Sequence, residues 1–239
     1  VAFKSISLPF ILNEISFFGK PKNKEKVVNV KIIPANIDDG IIFKRVDLTE
    51  GNIIKLNYKN SYIENDKLII KNEENIFVDN VELLIAALWA AKIDNAVIEL
   101  DGESIPYIDG TTEPLSFLLT IGKTRELDKT RNIFELNNEI CVKFNQSSIS
   151  AKPSKSFIID INDENGNFVF DNNVLPYKDY LSFSKEESKD VSKYHAIMII
   201  ALIFISNSYC LFEINATNFD KKTVFEFFKN LFVNAGRSI

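Results

Sequence analysis

Residues 79–100, DNVELLIAALWAAKIDNAVIEL, form the stretch that decides the fold. Apolar residues recur at helical spacing after Asp79, which predicts a helix with one apolar side. A short polar corner, Asp94-Asn95, then leads into a β-type run at Ala96–Leu100. The stretch therefore predicts a helix that packs against the sheet containing the following strand. The apolar side of this helix consists of Val81, Leu84, Ile85, Leu88 and Trp89.

The same arrangement occurs again later in the chain. Residues 205–212, ISNSYCLF, follow an apolar helical stretch and again pass through a polar corner into a strand. Each strand is followed by an amphipathic segment, at 112–120 in the first half and at 220–232 in the second. The repeated order is sheet, helix, strand and helix, which indicates an internal duplication.

The rest of the chain fits two α+β domains. Further β-type runs are predicted at 27–33, 41–46, 53–58, 67–71, 133–144 and 156–161. Residues 1–122 are predicted to form the first domain, the polar stretch 123–131 a linker, and residues 132–239 the second domain. Packing of the two domains helix to helix would bury both apolar faces. The alternative is a single irregular α+β domain in which the repeated order of elements arose by chance.

Composition excludes several classes of protein. The 239 residues carry 28 Lys and Arg against 33 Asp and Glu, so a basic nucleic-acid-binding face is not expected. A disulfide scaffold and a cysteine metal site are excluded because only Cys141 and Cys210 are present, and both are predicted to be buried thiols. The longest apolar stretch, 196–205, is too short to span a membrane. The excess of Lys, Asn, Ile and Phe indicates an AT-rich genome.

Four segments of the first half support a family resemblance. They are PAN at 34–36 with GIIFKRVDL at 40–48, VELLIAAL at 81–88, IDNAVIEL at 93–100 and ESIPYIDG at 103–110. In order and spacing they resemble the UDP-3-O-acyl-N-acetylglucosamine deacetylases, zinc enzymes of lipid A synthesis that hydrolyse an amide. The resemblance is good over about residues 14–122 and weak in the second half. It implies a duplicated two-domain α+β fold with the active site between the domains.

The resemblance also implies a zinc site with His, His and Asp ligands, a glutamate base and a further histidine. Where the family has Val-Glu-His-Leu-Leu, this chain has VELLI at 81–85, so Glu82 stands at the position of the base and Leu83 at that of a ligand. Leucine has no atom that can bind zinc. Glu82 is therefore predicted to be a relic that serves as a helix cap, because it follows Asp79 at capping-box spacing.

The other positions of that site also lack their residues. The family's His and Asp, four residues apart on a helix, fall on Lys193 and Ile197 in one register and on His195 and Ile199 in the other. No metal ligand and no cofactor are therefore predicted, and His195 is expected to be a packing or capping residue. Three further segments depart from the family pattern, namely FFGK at 17–20, the terminal motif near Phe219-Asp220 and the short stretch 180–192.

These departures predict a catalytically inactive deacetylase-like pseudoenzyme. We expect it to be a structural or protein-interaction subunit of a larger assembly, with some of its 20 Phe and 7 Tyr in partner contacts. An organelle is the expected setting, favouring the mitochondrion, for example its ribosome or a respiratory complex. In a ribosome, Lys20, Lys22, Lys24 and Lys26 could face RNA, although an exposed loop is the alternative. Two other functions remain open: a working zinc deacetylase of lipid A synthesis, and a non-catalytic module that binds lipid or nucleotide sugar.

Overall fold

The chain forms two compact units of mixed α and β structure, as the α+β prediction requires. The computed structural model describes residues 7–65, 67–122, 124–130, 133–163, 166–171, 199–202, 209–218 and 220–234. One unit is Ser7–Lys129, and the described residues from Thr130 onward belong to the other. Within the described residues, no helix has the length and apolarity needed to cross a membrane.

The described residues of the first unit form nine strands, part of a tenth, two α-helices and a short 3-10 helix, Tyr58–Asn60. Its main sheet has the order β2-β3-β9-β4-β5, in which β4 and β9 are parallel and the other neighbours are antiparallel. A small antiparallel sheet, β6-β7-β8, and the pair β1-β10 complete the unit. The strands are β1 (Ser7–Ile11), β2 (Ile15–Gly19), β3 (Val28–Pro34), β4 (Ile41–Arg45), β5 (Ile53–Lys55), β6 (Ser61–Glu64), β7 (Lys67–Lys71), β8 (Phe77–Asp79), β9 (Ala96–Leu100) and β10 (Thr124–Thr130). The helices are α1 (Glu82–Ala90) and α2 (Glu113–Ile121).

Apolar periodicity explains how the first unit packs. In β9, Ala96, Ile98 and Leu100 are fully buried while the residues between them are partly exposed. This alternation places one face of the sheet in the core. All nine residues of α1 are buried, so this helix is covered on every side and not only on the predicted apolar side, because it has almost no polar residues to face water.

Among its described residues, the second unit has six strands, a long helix and a helical segment at 199–202. Its sheet has the order β12-β13-β16-β14-β15, with β14 and β16 parallel, and β11 pairs in parallel with the start of β16. The elements are β11 (Ile133–Glu135), β12 (Ile140–Phe144), β13 (Ser147–Pro153), β14 (Ile158–Asp163), β15 (Gly166–Asp171), β16 (Tyr209–Thr217) and α3 (Lys221–Asn234). Aromatic rings contribute to its core: Phe157 meets Phe212 edge-on at 6.3 Å, and Phe228 stacks on Phe232 at 6.2 Å.

The two main sheets have the same topology, which confirms the predicted duplication. In each sheet the fifth main strand in chain order, β9 or β16, occupies the centre between an antiparallel and a parallel neighbour. Each of these central strands is also followed by a helix, α2 or α3. The packing of the two units helix to helix stays a prediction.

Three expectations need correction. The segment 123–131, predicted as a linker, forms strand β10 over Thr124–Thr130, because pairing with β1 satisfies backbone groups that composition alone assigns to a loop. The first helix begins at Glu82, since Asp79 ends β8. Cys141 is exposed, not buried, because it lies on β12 at the edge of its sheet.

Candidate functional site

Glu82 binds the backbone of a neighbouring strand. The N-cap residue of α1 is Val81, which makes no side-chain capping bond, so Asp79 does not stand at the N-cap that the predicted capping box requires. The helix-capping role predicted for Glu82 stays a prediction. Glu82 is the first residue of the helix and is only 5% exposed. Its Oε1 accepts a hydrogen bond of 3.1 Å from the backbone N–H of Leu68 on β7. The carboxylate therefore fixes the start of α1 to the small sheet.

The position next to Glu82 does not fit a zinc ion. Leu83 is 9% exposed, and the following Leu84 and Ile85 are fully buried. Zinc requires nitrogen, sulfur or oxygen donors, and a leucine in an apolar surrounding offers none. The ligand that the family resemblance implies at this position is therefore absent, and we derive no chemical step through a metal here.

The second half supplies two further observations on the predicted ligand positions. Ile199 is fully buried and has no donor atom, whereas Lys193, His195 and Ile197 lie outside the described residues. Across the part of the chain that the structure describes, no three His, Cys, Asp or Glu side chains are grouped to hold a metal. The segment 180–192 is also outside the described residues, so the prediction of a chain without zinc stays a prediction.

Asp220, which the family pattern places beside its terminal histidine, stabilises the start of α3. Its Oδ2 accepts a hydrogen bond of 3.0 Å from the backbone N–H of Thr223, and the Thr223 hydroxyl also donates to it. Burial would raise the pKa of this carboxyl, but the hydrogen bonds from Thr223 and from the backbone of Lys222, together with the charge of Lys222, outweigh it and lower the pKa below its usual value. These bonds assign Asp220 an N-capping role.

A polar cluster around the buried Asp79 was not predicted from the sequence. The Ser104 hydroxyl donates to Asp79 Oδ1 and accepts from Lys24 Nζ at 2.6 Å. Lys24 Nζ and Lys67 Nζ lie 3.9 and 3.8 Å from Asp79 Oδ2. Ser104 is completely buried, so its hydroxyl is not presented to a substrate. We call these four residues the Asp79 cluster; it joins β7 and β8 to the segments that contain Lys24 and Ser104.

The run of lysines near residue 20 makes contacts within the chain. Lys20 pairs with Glu25 at 2.8 Å, and Lys26 donates to the backbone carbonyl of Asp101 at 3.3 Å. Lys22 lies over the Tyr107 ring at 5.4 Å. With Lys24 in the Asp79 cluster, each lysine of the run has a partner in the protein. Their contact with RNA stays a prediction.

Arg45 and Asp47, in the segment 40–48, form a structural ion pair in which the arginine is buried. Arg45 Nε and Nη2 donate to the two oxygens of Asp47 at 2.8 and 2.7 Å, and Nη1 donates to the carbonyl of Phe77 at 3.1 Å. The hydrogen bonds from Arg45 lower the pKa of Asp47 and raise that of the guanidinium. A bidentate ion pair of this kind fixes the relative orientation of the two side chains in addition to pairing their charges. It secures the end of β4 to β8.

The segment Asp109-Gly110 forms the turn before α2. Asp109 Oδ1 accepts from both the backbone N–H and the hydroxyl of Thr111, each at 2.9 Å. The Thr111 hydroxyl in turn accepts from the N–H of Glu113, the first residue of the helix. Gly110 has a φ of +83°, which L-residues with side chains rarely adopt. These residues hold the entry to α2.

Sequence comparisons agree with the resemblance of the first half. The family model LpxC, described as UDP-3-O-acyl N-acetylglycosamine deacetylase, matches residues 10–186. Three curated relatives carry the name UDP-3-O-acyl-N-acetylglucosamine deacetylase. The relative from Idiomarina loihiensis is 32% identical over 148 residues, which is 61% of this chain and 48% of the relative. Those from Hamiltonella defensa and Cellvibrio japonicus are 31% and 30% identical, over 56% and 66% of this chain and 44% and 52% of the relatives.

These matches extend beyond the first unit, because the family model continues well past residue 130 into the second. The chain spans about half the length of the curated relatives that it matches. Three observations support the same family: the duplicated sheet topology, the four ordered segments and the match to the family model. The chain belongs to the UDP-3-O-acyl N-acetylglycosamine deacetylase family.

Proposed function

We propose that this chain is a member of the deacetylase family without deacetylase chemistry, and that it serves as a structural or protein-interaction subunit of a larger assembly. One observation carries the proposal: the position of a family zinc ligand is Leu83, buried and apolar, beside a glutamate whose carboxylate is bound to the Leu68 N–H. The leucine at position 83 is informative because the chain belongs to this family, whose relatives are named for an activity that uses the zinc site.

The chemistry explains why this single position matters. Hydrolysis by a zinc enzyme needs a metal with an open position, a bound water of lowered pKa and a base that reaches that water. Leu83 contributes no donor to such a metal. Glu82, at 5% exposure and bonded to Leu68, is engaged in holding α1 to β7. Retention of the glutamate is thus accounted for by structure alone.

Surface composition supports an interaction role. Phe117 and Ile121 are 66% and 57% exposed and lie four residues apart on α2, which places them on one face of that helix. Phe18 on β2 is 73% exposed. Exposed aromatic and aliphatic groups of this size are characteristic of partner contacts. Our proposed partners are other protein subunits of an organellar assembly, with the mitochondrion favoured, and RNA if that assembly is a ribosome.

The test has a biochemical arm and a cellular arm. In the first, the purified chain is assayed for bound zinc and for acetate release from UDP-3-O-acyl-N-acetylglucosamine, with a curated relative as the positive control. We expect less than stoichiometric zinc and no acetate. One zinc per chain with acetate release would overturn the proposal. Loss of that activity in a stably folded Glu82→Gln variant would then identify Glu82 as the base.

In the second arm, native lysates are separated by size and the fractions that contain the chain are analysed by mass spectrometry. We expect the chain to migrate in a particle far larger than its own 27.2 kDa, together with a fixed set of proteins. Migration as a free chain would contradict the assembly role, even if the first arm found no activity. The two parts of the proposal can therefore fail separately.

A further inference from the structure

The strand β12 (Ile140–Phe144) presents an open sheet edge. It is the terminal strand of the second sheet and pairs with β13; no other strand among the described residues pairs with it. Every residue from 137 to 143 is exposed. Open edges carry unpaired backbone N–H and C=O groups that can bind a further strand, and proteins usually protect them with proline, bulges or inward-pointing charges. β12 contains no proline and no bulge in its pairing with β13, and its one charged residue, Lys143, lies on the face away from the core.

The side chains of β12 divide into two faces. Ile140 and Val142 lie opposite Ala151 and Ile149 of β13, both fully buried, so they belong to the core-facing side of the sheet. They are nevertheless 40% and 41% exposed. The residues between them, including Cys141, lie on the other face. The edge therefore continues an apolar surface that nothing in the described chain covers.

The sequence of this edge complements itself. In the five residues EICVK at 139–143, an acid and a base stand at equal distances from Cys141, and Ile140 and Val142 flank it symmetrically. If two such strands pair antiparallel about Cys141, Glu139 lies opposite Lys143 and Ile140 opposite Val142, each twice. Directly opposed residues of antiparallel strands share a face and contact one another. Both charge pairs and both apolar pairs are then favourable.

We propose that β12 pairs antiparallel with β12 of a second copy of this chain, centred on Cys141. A two-fold axis through the strand pair makes each favourable contact occur twice, as in other self-complementary dimers. The pairing also joins the two second sheets into one continuous sheet across the dimer. This inference is independent of whether the chain is catalytic.

A comparison with β2, the equivalent edge strand of the first sheet, explains why we propose β12 as the strand that pairs between copies. Strand β2 also has an acid before it and a lysine after it, Glu14 and Lys20. However, Glu14 is bound to Lys31 at 2.6 Å and Lys20 to Glu25 at 2.8 Å, so both charges are already paired within the chain. At β12, no ion pair among the described side chains engages Lys143. Glu139 lies near Lys152 and helps to raise the pKa of that lysine, but the ion pair of Lys152 at 2.8 Å is with Glu213.

The expected dimer is weak and reversible. A strand pair of this length buries less surface than the roughly 1,600 Å² of a standard stable interface. Sedimentation velocity over a wide concentration range is therefore the appropriate assay for the full chain. We expect the weight-average mass to rise from one chain toward two as the concentration increases.

Charge reversal tests the register directly. Lys143→Glu and Glu139→Lys each replace two attractive cross-strand pairs with two repulsive ones, and we expect the dissociation constant of the dimer to rise by about tenfold or more. The double variant Glu139→Lys with Lys143→Glu recreates both pairs and should restore the parent value. Phe18→Ser, on the edge of the first sheet, is the matched control and should leave association unchanged.

A thiol crosslink gives an independent readout. A short bismaleimide should join two chains through Cys141, and the product should disappear in Cys141→Ser but persist in Cys210→Ser. A chain that stays monomeric at all concentrations would overturn the proposal. So would a dimer whose affinity is unchanged by Lys143→Glu, one weakened by Phe18→Ser instead, or single reversals that the double variant fails to rescue.

Discussion

Replacing Glu82 with alanine tests whether its carboxylate stabilises the first unit. Glu82 is 5% exposed, and its Oε1 accepts the hydrogen bond from Leu68 N–H at 3.1 Å. Removal of the acceptor leaves this backbone donor without that partner in a buried position. An unsatisfied buried donor costs about 1–3 kcal/mol. We therefore expect Glu82→Ala to lower the free energy of unfolding by about 2 kcal/mol.

Two further variants separate the hydrogen bond from the charge. Glu82→Gln keeps an oxygen that can accept from Leu68 N–H, so its cost should stay below about 1 kcal/mol. Glu113 is the matched control, because it is also the first residue of a helix whose N-cap makes no side-chain bond, but it is exposed. Glu113→Ala loses only a favourable interaction with the helix dipole, about 0.5 kcal/mol.

Trp89 makes the measurement specific to the first unit. It is the only tryptophan of the chain and is buried in α1, seven residues after Glu82. With an m-value near 2 kcal/mol/M, urea unfolding followed by its fluorescence should show the midpoint of Glu82→Ala about 1 M below that of the parent. A Glu82→Ala midpoint equal to that of Glu113→Ala would refute the structural role. Equal losses in Glu82→Ala and Glu82→Gln would show that the charge, and not the acceptor, matters.

Three other substitutions test the packing, a pKa shift and a turn. Leu83→Asp buries an acid among apolar side chains and should lower the free energy of unfolding by about 3 kcal/mol. In thermal melts, the control Leu83→Met should stay near the parent. A melting temperature of Leu83→Asp equal to that of the parent would mean that position 83 is open to water. The hydrogen bonds from Arg45 lower the pKa of Asp47, so the unfolded chain binds that proton more readily. The contribution of Asp47 to stability is complete above about pH 4 and is lost as the pH falls further. Asp47→Asn should therefore make the urea midpoint depend less on pH below about pH 4. A midpoint that falls with pH as steeply as that of the parent would contradict this prediction. Gly110 has φ +83° and its added Cβ would collide with the Tyr107 hydroxyl, whereas Gly40 has φ +72° and open space. Gly110→Ala should therefore lower the melting temperature more than Gly40→Ala, and equal losses would remove the clash as the cause.

Sequence pattern predicted those elements whose burial comes from local periodicity. The strands β7 and β9 have the predicted bounds, Lys67–Lys71 and Ala96–Leu100. The duplication was also predictable, because the helix, corner and strand are repeated in the same order. Strand β10 was not, because Thr124–Thr130 is polar and its partner β1 lies more than a hundred residues earlier. A pairing between such distant segments leaves no periodic signal in either one.

The site was predictable only in part for the same reason. The leucine at position 83 is visible in the sequence, and its burial follows from the apolar run around it. The partner of Glu82 is a backbone N–H on another strand, which no side-chain pattern reveals. Asp79, Ser104, Lys24 and Lys67 come from four separate segments, so their cluster depends on tertiary structure.

Glu82 and Leu83 carry unequal weight in any argument about the activity of this chain. A glutamate at this position can be kept for its hydrogen bond to Leu68, which does not depend on a metal. Its presence therefore does not distinguish an enzyme from a relative without chemistry. The buried leucine at position 83 is the more informative residue, because no protonation state or rotation gives it a donor atom, and our proposal that the chain lacks deacetylase chemistry rests on it. Residues that serve both structure and chemistry are poor indicators of lost function, and those that serve chemistry alone are the informative ones.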